Sequence, residues 1–103
     1  MEDILDFSRK RIARLRQENG ISARDLSLSI GQNHAYINKI ENGESNPTLV
    51  TIEYICQYFD ISKKDFFDEE KTQPDKINQL IHEVQGLDKD TLELLTEIAK
   101  RFH

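Results

Sequence analysis

Residues 32–43 read QNHAYINKIENG, and their polar side chains are the ones whose types and spacing could do chemistry. Ile37 and Ile40 stand three apart. At about 3.6 residues per turn they share one helical face with Glu41, which leaves His34, Ala35, Asn38, Lys39 and Asn42 on the other. That outer face is dense in hydrogen-bonding groups of moderate reach, and Ala35 lets a partner approach closely. The base edges in a DNA major groove match it: Asn can bond adenine in bidentate fashion, Lys can reach guanine, and Ala can touch a thymine methyl. Composition alone does not separate this face from an ordinary solvated one.

No other constellation offers a reaction. His34, His82 and His103 lie far apart, and none has a Cys or His partner at metal-ligand spacing. Cys56 falls on a core position of an apolar stripe, which predicts a buried structural thiol. The chain contains no glycine-rich phosphate loop and no Ser/His/Asp arrangement. The expectation is therefore no catalytic residue, no metal, no cofactor and no enzyme activity. A single cysteine permits no intrachain disulfide. No apolar run approaches the roughly 20 residues that span a membrane, and MEDILDFSRK lacks a signal-peptide core. These features predict a cytoplasmic protein with no membrane partner. The net charge of −5 argues weakly against nucleic acid, but its distribution is uneven. Residues 7–64 carry nine Lys or Arg against six Asp or Glu, whereas residues 65–103 carry five against ten. A mildly basic body can present a positive face whatever the total.

The elements that must position the polar face are helical throughout. Leu5, Ser8, Ile12 and Leu15 predict a first helix over 4–18, closed by Asn19-Gly20. Ser22 is an N-cap with Asp25 three residues later, and Leu26 and Ile30 give a short second helix that stops at Gly31. Asn33 is the next N-cap candidate, for a third helix from about His34 to Asn42, ended by Gly43. Thr48 caps a fourth helix with Leu49, Ile52, Ile55, Cys56 and Phe59 at core spacing. Ser62 caps a short fifth helix with Phe66 and Phe67. The polar, proline-containing stretch at 69–75 reads as a linker. Two amphipathic helices follow, striped by Ile77, Leu80, Ile81 and Val84, and by Leu92, Leu95, Ile98, Ala99 and Phe102. Asp88 caps the second of these, and Leu87 with Leu92 suits a hydrophobic staple.

The stretch from Ile21 to Phe67 resembles the Cro/phage-repressor type of helix-turn-helix, the XRE family. The resemblance rests on ISARDL, on Leu26 and Ile30 before Gly31, on Tyr36-Ile37, KIENG, NPT, the fourth-helix pattern and the final FF. It implies a five-helix repressor-like domain over 1–68; with the linker over 69–75 and the two-helix C-terminal hairpin over 76–103 read from the residues, the chain is expected to be all-α. It implies that the third helix recognises DNA, with His34, Ala35, Asn38 and Lys39 on base edges. Ser22, Arg24, Asn33, Tyr36 and Asn42 would contact phosphates. It also pairs Glu41, a carboxylate on the inner face, with Arg16. Two positions depart from the family pattern. Ala23 stands where Gln is frequent, and Glu44 where a basic residue is. These departures shift phosphate contacts toward Arg24 or the Arg9–Arg16 cluster.

The resemblance further implies a homodimer on a double-stranded operator, acting as a repressor. Sin-type regulators carry a similar C-terminal two-helix element that pairs with itself or with an antagonist. An antitoxin or adaptor whose last helices bind another protein, such as a toxin, is the alternative. Val50, Tyr54 and Tyr58 recur every four residues beside the core stripe, and Leu28 is likewise apolar where a polar residue is usual. Either these residues widen the intramolecular core or they form a subunit interface. The C-terminal hairpin either docks on them or pairs with the hairpin of another chain.

Overall fold

The computed structural model describes residues 3–70 and 74–102. Seven helices run in order: α1 (Ile4–Glu18), α2 (Ala23–Ser29), α3 (Tyr36–Glu41), α4 (Leu49–Phe59), α5 (Lys63–Phe66), α6 (Pro74–Val84) and α7 (Lys89–Lys100). No strand occurs among the described residues. Short polar side chains start most of them by accepting amide protons that a first turn leaves free. Asp3 accepts from Leu5 and Asp6, Ser22 from Asp25, Thr48 from Thr51, Ser62 from Asp65 and Asp88 from Thr91. Gly31 and Gly43 end α2 and α3 at φ of 76° and 80°, a left-handed backbone that a Cβ opposes. Asp60 ends α4 at φ 55° without a glycine.

One core holds the first five helices together. Ile12, Leu15, Leu26, Ile30, Ile37, Ile40, Ile52, Ile55, Cys56, Phe59, Ile61 and Phe66 form it, with Ile21, Ala23, Tyr36 and Phe67 packed at its edge. Arg11 of α1 is also buried. Its Nε donates to the Phe66 carbonyl at 2.9 Å and its Nη2 to the Asp68 carbonyl at 2.6 Å, so it satisfies the end of α5. Burial pushes the Arg11 guanidinium pKa down, as does neighbouring Arg14, against the attraction of Asp68 and Glu18.

Several expectations need correction. Leu49 is 80% exposed rather than in the core, because it opens α4 and faces out of the first turn. Val50, Tyr54 and Tyr58 do not widen the core: they stay 56%, 44% and 46% exposed. α6 begins at Pro74, so the last two residues of the stretch read as a linker are helical, and both are buried. Residues 71–73 lie outside the described part.

α6 and α7 add no residue to the core. α6 meets the body through polar contacts from its first turn to its last, where His82 Nε2 lies 3.7 Å from Asp60 Oδ2. Asn19 Nδ2 donates to Asp75 Oδ2 at 2.7 Å, Lys76 Nζ to Asn19 Oδ1 at 3.3 Å, and Asn78 Nδ2 to the Asp60 carbonyl and Asp65 Oδ2 at 3.3 Å. Beyond this junction the hairpin projects, and the radius of gyration is 16.2 Å, against about 13 Å for a compact chain of this length. Leu80, Ile81, Val84, Leu92, Leu95, Ile98 and Ala99 line an open groove of about 380 Å³ between the two helices.

Candidate nucleic-acid interface

The polar face belongs to the shortest stretch of regular structure that could carry it. α3 covers only Tyr36–Glu41, and residues 34–35 form a turn ahead of it, so the helix expected from about His34 to Asn42 is narrower at both ends. Asn33 caps that turn: its Oδ1 accepts from the Ala35 amide at 2.9 Å. The first turn of α3 takes its side-chain cap from another helix. Ser27 of α2, fully buried, donates to the Ala23 carbonyl at 2.7 Å and accepts from the Ile37 amide at 3.0 Å. This bond locks α2 to α3 across the glycine turn. Sequence reasoning passed over Ser27; the signal was a serine beside Leu26 on the inner face of α2.

A six-residue helix has little stability of its own. Its neighbours hold it at both ends. At the start, Tyr36 packs on the core and its hydroxyl pairs with the buried Thr51 hydroxyl of α4 at 2.6 Å. In the middle, Ile37 and Ile40 are fully buried. At the end, Arg16 of α1 meets Glu41 in a two-pronged pair, Nε to Oε2 and Nη2 to Oε1, both 2.8 Å. The hydrogen bond to Glu41 raises the Arg16 pKa further, outweighing partial burial. Arg16 Nη1 also donates to the Ile21 carbonyl at 3.3 Å.

With the inner face fixed, His34, Asn38, Lys39 and Asn42 are exposed, and Ala35 is half-buried beside them. Ser22 and Arg24 are exposed at the start of α2. The Arg9–Arg16 cluster is different from what the sequence suggested. Arg9, Arg11 and Arg16 all donate to acceptors within the chain, so this part of the cluster works internally rather than as a free basic patch. Among the described residues, no group of three His, Cys, Asp or Glu side chains could hold a metal ion, and no helix is long and apolar enough to cross a membrane.

A short helix, a tight glycine turn and a second short helix with an exposed polar face define a helix-turn-helix protein of the Cro and phage-repressor type. The family described as Helix-turn-helix matches residues 12–66, and the chain belongs to it. Among curated proteins, the chain is similar to the HTH-type transcriptional regulator PuuR of Escherichia coli, at 28% identity over 72% of this chain and 40% of the relative. An uncharacterized HTH-type transcriptional regulator of Sinorhizobium fredii, y4dJ, is 32% identical over 48% of this chain and 65% of the relative. The chain thus spans about two fifths of the length of the Escherichia coli relative. Among solved structures, the restriction-modification controller protein C.Esp1396I superposes with a TM-score of 0.58 at 26% identity, covering 66% of this chain and 88% of that one. The SinR protein/SinI protein complex shares the fold, with a TM-score of 0.56 at 24% identity over 89% of this chain and 93% of that one.

Proposed function

We propose that this chain is a sequence-specific DNA-binding transcriptional regulator of the cytoplasm, acting as a dimeric repressor. The observation that carries the reading is the α3 face. Its buried side is clamped by Ser27, Tyr36 and Arg16, while His34, Asn38, Lys39 and Asn42 are left free to meet another molecule. In this reading His34, Ala35, Asn38 and Lys39 read base edges in the major groove. Ser22, Arg24, Asn33, Tyr36 and Asn42 hold phosphates on either side. The domain over 1–68 binds DNA, and the hairpin over 76–103 pairs with the same hairpin of a second chain. Two such chains would engage half-sites about one helical turn apart.

A second reading has its own support. The groove between α6 and α7 is apolar and open, which also suits another protein, such as an antagonist or a toxin. Selection of bound sites from random duplexes, followed by titration across salt, separates the two. Specific binding that weakens steeply with salt supports the regulator. Background binding only, together with a tight protein partner, supports the adaptor.

A further inference from the structure

Two arginines of α1 reach α3, and they stand seven residues apart on one face of that helix. Arg16 serves Glu41, as described above. The role of Arg9 is separate. Its Nε donates to the Ile40 carbonyl at 3.1 Å, in the last turn of α3, and is the second donor to an oxygen that also accepts from the Gly43 amide at 3.1 Å. Its Nη2 donates to Asn46 Oδ1 at 2.6 Å, in the loop that leaves α3. Its Nη1 bonds Asp6 at 3.1 Å, one turn back on α1. One planar guanidinium therefore joins three segments: α1, the end of α3 and the loop toward α4. A rigid fork with donors in fixed directions sets an orientation that a lysine on a flexible stem does not.

We propose that Arg9 is a positioning residue that sets base selectivity without touching DNA. The inference rests on the DNA-reading function of α3. The start of α3 is tied independently, by Ser27 and by the Tyr36–Thr51 pair. Its end is held by the buried Ile40 side chain, by Arg16 through Glu41, and by Arg9, which ties the Ile40 carbonyl to α1 where the Gly43 amide ties it only to the following turn. Without the Arg9 bond, α3 pivots about its fixed start. The displacement is largest at Lys39 and Asn42, in the last turn, and smallest at His34.

The test uses the full chain with Arg9→Lys, Arg9→Met and Asn46→Ala. Each is titrated against the selected duplex and its single-base variants over a range of salt. Arg9→Lys keeps the charge, so its salt dependence matches the wild type. Its discrimination at the bases read by Lys39 falls about tenfold, while discrimination at those read by His34 changes least. Asn46→Ala removes only the loop bond and gives a smaller loss in the same direction. If Arg9→Met fails to fold by circular dichroism, the other two variants decide. Unchanged single-base profiles in both would overturn the inference. So would a salt slope reduced by about 0.9 with discrimination intact, which would make Arg9 a phosphate contact. A wild-type chain that discriminates no duplex would instead overturn the DNA-reading function beneath it.

Discussion

Residues 12–66 and residues 74–102 are both made of amphipathic helices, yet only the first set closes a core. In the body, the apolar faces of five short helices meet one another, and Ile12, Leu26, Ile37, Ile40, Ile55 and Phe66 lose all contact with solvent. In the hairpin, each helix has chiefly the other to face, and Ile77, Leu80, Ile81, Leu92, Leu95 and Ile98 remain between 37% and 62% exposed. Phe102, at the end of α7, is 85% exposed. Two helices cannot enclose a stripe that three or more neighbours would cover. A hydrophobic periodicity in sequence therefore specifies a face that needs a partner, not where the partner comes from. The body covers most of its apolar surface with itself and leaves exposed the polar α3 face and the apolar row of Val50, Tyr54 and Tyr58. The hairpin offers its apolar face instead.

That contrast can be broken most sharply in the body. Replacing Arg16 with Met leaves Glu41 without its partner on a face packed against α1. The expected loss is about 3 kcal/mol, somewhat reduced by the partial exposure of both side chains. The thermal midpoint should fall by roughly 10–20 °C in calorimetry. Glu41→Gln should act in the same direction by less. An unchanged midpoint in both would show that the Arg16–Glu41 pair does not hold α3.

The next effect comes from alkaline pH. Burial pushes the Cys56 thiol up to about 11, from an ordinary value of 9.0. The folded state therefore holds this proton more tightly than the unfolded chain does. Its contribution is complete below pH 9 and is lost as pH rises through 11, an amount on the order of 2–3 kcal/mol. Denaturant titrations at pH 8 and pH 11, compared with the same pair for Cys56→Ala, isolate it. The variant should lose less stability between the two. In the native chain at pH 8 the thiol should also resist alkylation, and rapid labelling would place it outside the core.

Changes in the hairpin should barely move the stability of the body. Leu95→Asp removes no core contact, so the expected shift is within about 0.5 kcal/mol. Under the proposed pairing, the same change should abolish self-association in sedimentation velocity. Truncation after Asp68 should likewise leave a folded monomer. A truncated chain that still dimerises would move the interface to the exposed Val50, Tyr54 and Tyr58. The smallest effect belongs to Asp88, whose carboxyl is held below its ordinary range by the Thr91 amide and then by the Thr91 hydroxyl. This cap is present above the ordinary carboxylate range and is lost as pH falls through the depressed value. Amide exchange in the first turn of α7 should therefore speed up in acid, and Asp88→Ala should show that faster exchange at neutral pH. Equal exchange in the two chains would remove the cap.

Local chemistry was legible in the sequence. Ser22, Thr48, Ser62 and Asp88 announce helix starts because a short oxygen beside an apolar-periodic run has few other uses. Gly31 and Gly43 announce ends for a conformational reason. The core followed from the spacing of Ile12, Leu15, Leu26, Ile37, Ile40, Ile52 and Ile55. Long-range hydrogen bonds were not legible. Nothing near Arg9 or Arg11 says that their acceptors lie 31 and 55 residues away, so both read as free cations. Ser27 was missed for the same reason, since its partner amide belongs to the next helix. Leu49 misled because its spacing fits the α4 stripe, although the first turn projects beyond the core. Asp60 carries a left-handed backbone that sequence patterns assign to glycine or asparagine.

The account turns on the exposed face of α3. The direct measurement is the affinity of the wild-type chain, and of His34→Ala, Asn38→Ala, Lys39→Ala and Asn42→Ala, for a duplex selected from random sequence and for its single-base variants. If the face reads bases, the wild type separates its site from variants by about 1–3 kcal/mol per base. His34, Asn38 and Lys39 replacements then each relax preference at particular positions, while Asn42→Ala weakens every duplex alike. Equal affinity for all duplexes in the wild type, or four replacements that change nothing, would contradict it.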